Sequence, residues 1–377
     1  MNSQRIAFFI PKLTFGGAER VIIDIANNLS KRNYLIDIVL AKGGKIYLDE
    51  IDPSINIINL NCKSTILSLF DLCRYIKKSS PYGIISALSH ANCVLLLARK
   101  IIKNNTKVVV SERNVSHLNT NNKVGIKRII LDLLIKYLYP EAKCIVTVSK
   151  GVRESIINTY KLKSKKVKCI LNPCDFEKIN KLKSKDILNS GIINSIKSDN
   201  QKIILAVGSL TIQKNFSLLI NAFKKVNRII NCKLIILGEG PERSNLEKLY
   251  RNLEIDKKSI IMPGFVANPF PFMKACDLFV LSSLWEGLPN VLIQALACNC
   301  KIVSTDCDAG PREILEDGKW GRLTKVNDIN ELANTMLEEL KDKDKDLDQQ
   351  YFNPTIGRLN RFNIDKIADQ YLEAFEI

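Results

Sequence analysis

The sequence has 377 residues, of which 46% are hydrophobic and 25% charged, a composition that excludes a disordered chain and allows two folded domains. The net charge is +17, and residues 1–180 hold 29 basic and 13 acidic residues, against 27 and 26 in residues 181–377. The positive charge therefore lies almost entirely in the first half. This asymmetry predicts an anionic partner there, such as a membrane or a phosphorylated lipid, unless it is only a generally basic surface.

The first ten residues do not read as a signal peptide, because their short apolar run is followed at once by Pro11. The longest uncharged stretch, Ser79–Ala98, contains Pro81 and Gly83, so we expect a buried strand and a helix start there and not a membrane span. The 11 cysteines form no CxxC pair, which favours reduced thiols and a cytoplasmic protein. Two histidines are too few for a histidine-based metal site.

Short apolar runs alternate with amphipathic segments along the first half. The predicted strands are Arg5–Ile10, Leu35–Leu40, Ile55–Leu60, Gly83–Leu88, Lys107–Val110 and Lys143–Val148. The predicted helices are Gly17–Ser30, Ile66–Lys77, Asn92–Ile102, Gly125–Tyr139 and Gly151–Tyr160. Strands that alternate with helices in this way form parallel βαβ units and a doubly wound sheet.

The alternation pauses over a stretch rich in Lys, Ser and Asn, and then begins again. The predicted strands of the second half are Ile203–Val207, Lys233–Leu237, Ser259–Met262, Asp277–Leu281 and Lys301–Ser304. The predicted helices are Phe216–Ile230, Pro241–Asn252, Val291–Ala297 and Ile329–Leu340. We therefore predict two Rossmann-like α/β domains, 1–172 and 201–360, joined by a linker over 173–200 and facing a central cleft. The candidate motifs follow predicted strands, at the edge where open α/β sheets bind ligands.

Two motifs have features that suit a phosphorylated ligand. Gly16 and Gly17 open the first helix, where backbone can approach a phosphate and the helix N-terminus favours negative charge, although a plain tight turn would look the same. Lys214 lies between a strand and a helix, where an ammonium group can neutralise a diphosphate leaving group. Taken alone, Lys214 is better explained as a surface lysine in a chain so rich in lysine. The turn Gly238–Pro241 lies in the same layer.

Glu286 is the sharpest candidate of the sequence. It lies in Ser282–Asn290, a glycine-containing loop between a predicted strand and a helix that Pro289 starts, and Gln294 follows within that helix. The loop backbone can meet phosphate, and the carboxylate can accept hydrogen bonds from sugar hydroxyls. An acid in so apolar a neighbourhood usually has a partner or a task.

Taken together, these motifs resemble glycosyltransferase family 4, which has the GT-B fold, and the resemblance covers nearly the whole chain. The matching segments are Gly16–Arg20, Asn172-Pro173, Gly208–Asn215 (the family's GRLxxxKN), Gly238–Pro241, Glu286–Ala297 and Gly310–Leu315. Six segments in the right order are far more specific than any one of them. The resemblance also implies that the C-terminal helix, within 361–377, crosses back to the first domain.

The resemblance implies roles for individual residues. Lys214 would hold the donor diphosphate and Glu286 the transferred sugar. The other implied donor contacts are Gly16, Gly17, Ser209, Gly240, Phe265, Val266, Gly287, Leu288, Pro289, Asn290 and Gln294. Many members have a histidine after the fifth strand; this chain has Glu112 and Arg113 there, with His117 further on, and the first two are candidates for contacts to the acceptor or the transition state.

Two positions depart from the family pattern. Gln294 replaces the second of two acids separated by seven residues, so one acceptor oxygen and an NH₂ group stand where a carboxylate would be. We expect this change to weaken donor binding by about 1–2 kcal/mol. Ser209 replaces the arginine of the family segment, which leaves more of the phosphate binding to Lys214. An inactive homologue is the alternative that these departures leave open.

The expected function is retaining, metal-independent transfer from a UDP-sugar co-substrate, without a further cofactor, to a polyprenyl-diphosphate-linked glycan in surface polysaccharide synthesis. The basic first half would dock on the inner face of the cell membrane. The helix that carries Leu131, Leu134, Ile135 and Leu138 is a candidate for this contact, although these residues suit a core-facing helix better. Another reaction of a bound sugar nucleotide, such as epimerisation, is a rival. Nucleic-acid binding is disfavoured, because no recognisable module is present and only 7% of residues are aromatic.

Overall fold

The structure is a computed structural model that describes residues 4–14, 16–44, 48–114, 125–184, 201–256, 258–342 and 357–376. The chain divides into two compact units. The first consists of Met1–Pro173 with Arg361–Ile377, and the second of Cys174–Asn360. Each unit has its own parallel sheet and its own core.

The first unit contains a seven-stranded sheet in the order β3-β2-β1-β4-β5-β6-β7. Every paired neighbour is parallel, as predicted. The strands are β1 Arg5–Ile10, β2 Leu35–Leu40, β3 Asn56–Asn59, β4 Gly83–Ala87, β5 Lys107–Glu112, β6 Cys144–Thr147 and β7 Val167–Cys169. The last of these was not predicted, since three residues are too few for a periodicity.

Helices cover both faces of this sheet. They are α1 Gly17–Lys31, α2 Leu69–Ser79, α3 Ser89–Ile102, α4 Ile126–Leu138 and α5 Lys150–Tyr160, with α13 Ile364–Glu373 returning from the chain end. Helix α3 packs between α2 and α4, while α1 packs against α13. The buried residues of β1 and β2 are apolar except for Asp37. Its carboxylate accepts hydrogen bonds from the side chains of Arg5 and Tyr75.

The second unit contains a six-stranded parallel sheet in the order β10-β9-β8-β11-β12-β13. Its strands are β8 Lys202–Val207, β9 Cys232–Leu237, β10 Ile260–Gly264, β11 Leu278–Leu281, β12 Ile302–Thr305 and β13 Arg322–Thr324. Its helices are α6 Phe176–Lys183, α7 Phe216–Asn227, α8 Arg243–Asn252, α9 Phe270–Ala275, α10 Asn290–Ala297, α11 Pro311–Ile314 and α12 Ile329–Lys341.

The predicted linker is folded in its first part. Helix α6 lies within 173–200, begins at an Asp175 cap whose carboxylate accepts from the Lys178 N–H, and packs against α9 of the second unit. The pause in the alternation over 173–200 did not predict this helix, in which Phe176 and Ile179 form a buried face. Residues 185–200 lie outside the described residues.

Both sheets are doubly wound, as predicted. The strand order reverses between β1 and β4 in the first unit and between β8 and β11 in the second. In open α/β sheets the crevice outside the carboxyl ends of the strands, at such a reversal, is where ligands bind. None of the helices in the described part of the chain is long and apolar enough to span a membrane.

Candidate active site

An ion pair lies at the strand reversal of the second unit. Lys214 ends a short 3₁₀ turn after β8, and Glu286 lies in the loop after β11. The Lys214 Nζ is 2.5 Å from the Glu286 Oε1, and the two side chains are only 14% and 7% exposed. Ser283 Oγ donates to the same carboxylate oxygen at 2.7 Å. A cation and a carboxylate thus meet, largely shielded from solvent, where the topology places a ligand.

The two loops that carry this pair are fastened to each other. The Leu284 N–H donates to the Gln213 carbonyl at 2.8 Å, and the Gln213 side-chain amide donates to the Trp285 carbonyl at 2.9 Å. The Ser282 hydroxyl donates to the Lys214 carbonyl at 2.8 Å. These bonds fix the backbone on both sides of the ion pair. The two charged groups are therefore held in position by the hydrogen bonds between their loops.

The lysine side chain lies along a glycine. A Cβ placed on Gly208 would come within 3.3 Å of the Lys214 Cε, so the absence of a side chain makes room for the lysine stem. The next loop packs still closer: a Cβ on Gly238, whose φ is +145°, would lie 1.9 Å from the Gly208 carbonyl oxygen. The glycines after β8 and β9 therefore stack two loops backbone to backbone beside the ion pair.

A third glycine supports the loop of Glu286 from the other side. Gly310 has a φ of +93°, and a Cβ there would stand 2.6 Å from the Pro289 Cδ and 3.0 Å from the Gly287 carbonyl oxygen. Beneath the same loop, the Thr305 hydroxyl donates to the Ser283 carbonyl at 2.7 Å. Burial, with the nearby Glu286 carboxylate, raises the pKa of the Cys307 thiol. Sequence reasoning marked Gly310 as part of the segment Gly310–Leu315 but missed Thr305 and Cys307, since nothing in their local pattern marks them.

The remaining predicted residues of this loop follow the carboxylate directly. Gly287, Leu288 and Pro289 are buried, and α10 begins at Asn290. The first turn of a helix has N–H groups without an intrahelical acceptor, and it attracts anions. Gln294 is half-buried on the same helix. The loop therefore offers a carboxylate and a helix N-terminus within four residues of each other.

The other predicted donor contacts lie on neighbouring loops of the same edge. Ser209 follows β8 and is exposed, Gly240 follows β9, and Phe265 and Val266 follow β10. The Phe265 ring is 47% exposed. A hydrogen bond from the Gly238 N–H to the Gly264 carbonyl, at 2.8 Å, ties the last two loops together. The structure thus brings the predicted second-unit residues to consecutive loops at one edge of the sheet.

The glycine pair of the first unit is arranged differently from the prediction. The Glu19 carboxylate folds back over the start of α1: a Cβ on Gly16 would lie 2.0 Å from its Oε2. Glu19 is 8% exposed and accepts from the Thr14 hydroxyl at 2.9 Å. A carboxylate at this position complements the helix dipole and opposes a second anion. The Glu19 carboxylate therefore lies beside Gly16, and the donor contact of Gly16 and Gly17 stays a prediction.

Glu112 and Arg113 are likewise engaged within the first unit. Glu112, 4% exposed, accepts hydrogen bonds from the side chains of Tyr139, Asn92 (3.3 Å) and Ser89 (3.1 Å), and burial raises its pKa. The Glu112 carboxylate thus takes part in a buried hydrogen-bond network, and its contact with the acceptor or the transition state stays a prediction. His117 lies outside the described residues.

Arg113 is 9% exposed and donates to the Asn172 Oδ1 at 3.0 Å and to the Tyr371 hydroxyl at 3.1 Å. It thereby joins the end of β5 to helix α13 and to the residue before Pro173. Arg113 therefore makes internal contacts within the first unit, and its contact with the acceptor or the transition state stays a prediction. Within the described ranges no three His, Cys, Asp or Glu side chains cluster as a set of metal ligands.

Comparisons with known proteins agree with this architecture. A model of "Glycosyltransferase Family 4" matches residues 15–178, and a model of "Glycosyl transferases group 1" matches residues 192–354. A solved relative in fold is Anabaena HepE in complex with UDP and glucose, with a TM-score of 0.79, 20% identity and 99% coverage of both chains. The chain therefore has the GT-B fold of a glycosyltransferase, and the predicted fold class is confirmed.

Two curated relatives are similar over most of their length. The chain is 32% identical over 388 residues to the N-acetylgalactosamine-N,N'-diacetylbacillosaminyl-diphospho-undecaprenol 4-alpha-N-acetylgalactosaminyltransferase of Campylobacter jejuni, with 98% of this chain and 99% of the relative covered. It is 33% identical over 337 residues to the uncharacterized glycosyltransferase MJ1059 of Methanocaldococcus jannaschii, covering 80% and 81% of the two chains. The chain belongs to glycosyltransferase family 4.

Proposed function

We propose that the protein transfers a hexose or an N-acetylhexosamine from a UDP-sugar to a polyprenyl-diphosphate-linked glycan, with retention of the anomeric configuration and without a metal ion. The observation that carries the proposal is the ion pair of Lys214 and Glu286 at the strand reversal. Support for the acceptor comes from the Campylobacter relative, whose name specifies a diphospho-undecaprenol-linked substrate and a 4-alpha linkage.

Lys214 would stabilise the leaving diphosphate. When the bond between the sugar C1 and the phosphate oxygen breaks, the diphosphate gains negative charge, and an ammonium group already held at 14% exposure stabilises that charge without reorganising solvent. The N-terminus of α10 adds a favourable dipole beside the phosphates. Because both features are fixed before the donor binds, the binding energy of the donor is not spent on positioning them.

Glu286 would hold the sugar. Its Oε1 accepts from Lys214 and Ser283, and no described residue donates to its Oε2. That oxygen is the acceptor we assign to a hydroxyl of the transferred sugar. The carboxylate also keeps Lys214 in place until the phosphate arrives.

Retention is supported by what surrounds Glu286. A double displacement through a covalent intermediate needs a second carboxylate about 5 Å away. The side chains that hydrogen-bond to Glu286 in the described structure are a lysine and a serine. The proposed step is therefore attack from the face that the leaving group vacates: the acceptor oxygen bonds to C1 as the phosphate departs, and its proton passes to the departing phosphate oxygen.

The first unit would bring the enzyme to the inner face of the membrane. Helix α4 turns Ile135 and Leu138 inward, so the face predicted from the sequence belongs to the core. Its opposite face is also apolar: Ile126, Ile129, Ile130, Leu133 and Tyr137 are 49–77% exposed. A helix that is apolar outward, in a strongly basic unit, has the character of an interfacial helix. Each lysine or arginine near an anionic bilayer adds about 1 kcal/mol.

The test is UDP release by the purified enzyme against a panel of UDP-sugars, with and without a polyprenyl-diphosphate-linked acceptor. We expect release that depends on the acceptor and on one donor, persists in EDTA and disappears in Glu286→Ala. Glu338→Ala, which removes an exposed carboxylate from α12 of the same unit, is the matched control. Release from no donor in the panel, or release that EDTA abolishes, would contradict the UDP-sugar or the metal-independent part of the proposal.

A further inference from the structure

A concave surface with a volume of about 650 Å³ lies at the amino-terminal edge of the first unit's sheet, where β5 and β6 begin. This is the edge opposite to the strand reversal. Six cationic side chains line it, and they define the basic groove: Arg99, Lys100, Lys107, Lys143, Lys165 and Lys166. Nothing in the proposed transfer reaction uses this surface.

The charge of the basic groove is largely uncompensated. Lys107 pairs with Glu376 at 3.2 Å. Arg99 and Lys166 donate to the carbonyls of Thr106 (2.8 Å) and Ala142 (3.1 Å), which hold the cations in place without neutralising them.

The three remaining cations, Lys100, Lys143 and Lys165, form no ion pair in the described parts of the chain, although the nearby Lys143 ammonium helps to lower the pKa of the Glu376 carboxyl. One acid, Glu141, lines the groove with them. Like charges gathered on one concave surface repel each other, so an anion of more than one charge would relieve the repulsion.

The surroundings of the basic groove indicate where that anion comes from. Leu96, Arg99 and Lys100 belong to α3, against which α4 packs, and Glu141 follows the last turn of α4. That turn carries Tyr137, which is 70% exposed and belongs to the apolar outer face of α4. Apolar side chains that border a cationic concavity match the boundary between acyl chains and phosphate groups.

We propose that the basic groove binds the headgroup of an anionic phospholipid that carries two phosphates. This inference rests on the proposed membrane docking and makes it specific for a lipid. A volume of about 650 Å³ lies within the range of small-molecule sites, and one phosphate would leave most of it unfilled. Lys143 directly precedes β6 and Lys165 lies in the turn before β7, so the two ammonium groups reach the groove from different segments and would each bind one phosphate.

The experiment compares vesicles of phosphatidylcholine mixed with cardiolipin or with phosphatidylglycerol, at equal total negative charge. We expect the wild-type protein to bind cardiolipin vesicles at least fivefold more tightly, since each lysine close to lipid phosphate contributes roughly fivefold. Lys143→Gln/Lys165→Gln should lose this preference. Lys127→Gln/Lys136→Gln, which removes the same charge from α4 outside the groove, should weaken binding to both vesicles equally.

The outcomes separate this inference from the proposed function. Equal wild-type binding to the two anionic vesicles would overturn the headgroup site and leave docking intact, whereas binding to neither would overturn both. If inorganic pyrophosphate binds more tightly than the vesicles, and its binding depends on Lys143 and Lys165, the groove is a site for a free diphosphate. If a short RNA binds more tightly than the vesicles and depends on the same two lysines, the groove is a nucleic-acid surface. Acceptor-dependent UDP release in detergent tests the transfer reaction separately, and the groove variant should retain it.

Discussion

Lys214 and Glu286 are 72 residues apart in the sequence, and their charged groups are 2.5 Å apart in space. Each lies on its own loop, on either side of the point where the strand order of the second sheet reverses. The pair therefore joins the two halves of that sheet at the position where the fold binds ligands. Its effect on stability and its effect on catalysis can be measured separately.

Lys214→Met should lower kcat by about 100- to 1,000-fold, the usual cost of removing one preorganised group from a developing anion. It should also lower the free energy of unfolding by about 3 kcal/mol, because Glu286 is left buried with an unpaired charge. In Lys214→Met/Glu286→Gln that charge is gone, so stability should recover while activity stays low. Urea denaturation and steady-state kinetics measure the two effects.

The control for this pair is Lys248→Met, which removes an exposed lysine from α8 of the same unit. Lys248→Met should change neither kcat nor the free energy of unfolding. A double variant that regained transfer activity together with stability would show that the pair is only a structural contact.

Gln294→Glu should tighten donor binding. The change places a carboxylate on α10, eight positions after that of Glu286. It offers two acceptor oxygens where the glutamine amide offers one. We expect the KM for the UDP-sugar to fall by about 5- to 30-fold, corresponding to about 1–2 kcal/mol, with little change in kcat. Gln294→Ala should move the KM in the other direction. A KM unchanged in both variants would place Gln294 outside the donor site.

Gly310 and Gly318 make a matched pair for testing the loop that carries Glu286. Both have positive φ, +93° and +91°, but a Cβ on Gly310 would meet Pro289 at 2.6 Å, whereas one on Gly318 would meet only the Gly321 carbonyl oxygen, at 3.7 Å. Each change to alanine should cost about 1–3 kcal/mol of stability through backbone strain. Gly310→Ala alone should also displace the 287–289 loop and raise the KM for the donor. Equal kinetic effects would argue against loop support by Gly310.

Glu112 predicts a pH dependence of stability. Burial raises its pKa in the folded protein, so the folded state binds more protons than the unfolded state above the usual range of a glutamate. Its contribution is complete below the unfolded pKa and is lost as the pH rises through the folded pKa. Wild-type protein should therefore lose stability relative to Glu112→Gln as the pH rises above the usual range of a glutamate.

Urea denaturation at several pH values measures the difference in the free energy of unfolding between the wild-type protein and Glu112→Gln. If Glu112 is a structural residue, Glu112→Gln should keep most of its transfer activity. A large loss of kcat at unchanged stability would restore the role in acceptor contact that the sequence suggested.

The apolar outer face of α4 should add a hydrophobic contribution to the affinity of the protein for membranes. Ile130→Gln/Leu133→Gln replaces two side chains that are 51% and 50% exposed, so it should cost the fold little. It should weaken vesicle binding by about tenfold or more, since each buried aliphatic side chain contributes more than 1 kcal/mol. Ile229→Gln, at an exposed isoleucine of the second unit, is the control. Unchanged cosedimentation at high salt would exclude this face.

Much of the fold could be predicted because buried parallel strands are continuous apolar runs. Arg5–Ile10 and Leu35–Leu40 were predicted to the residue. The missed elements lack such a signal: β7 and β13 have three residues each, and α9 starts beside Pro269 and Pro271. Their positions come from pairing with longer neighbours.

The candidate site was predictable only in part. The rule for strand reversals places Lys214 and Glu286 at one edge, but their contact, and the support from Ser283 and Gly310, depend on loop geometry that no periodicity encodes. Glu19 could have been found, since an acid three residues after the N-cap is the pattern of a capping box. The burial of Glu112 could not, because its partners Asn92 and Tyr139 come from two other elements.

The most direct test of the central claim is to incubate the enzyme with a UDP-N-acetylhexosamine and a synthetic polyprenyl-diphosphate-linked glycan, and to analyse the lipid product by mass spectrometry and NMR. The account predicts a product heavier by one sugar residue, with an α linkage from an α-linked donor, and no product from Lys214→Met or Glu286→Ala. A β-linked product, or a product formed equally by both variants, would contradict it.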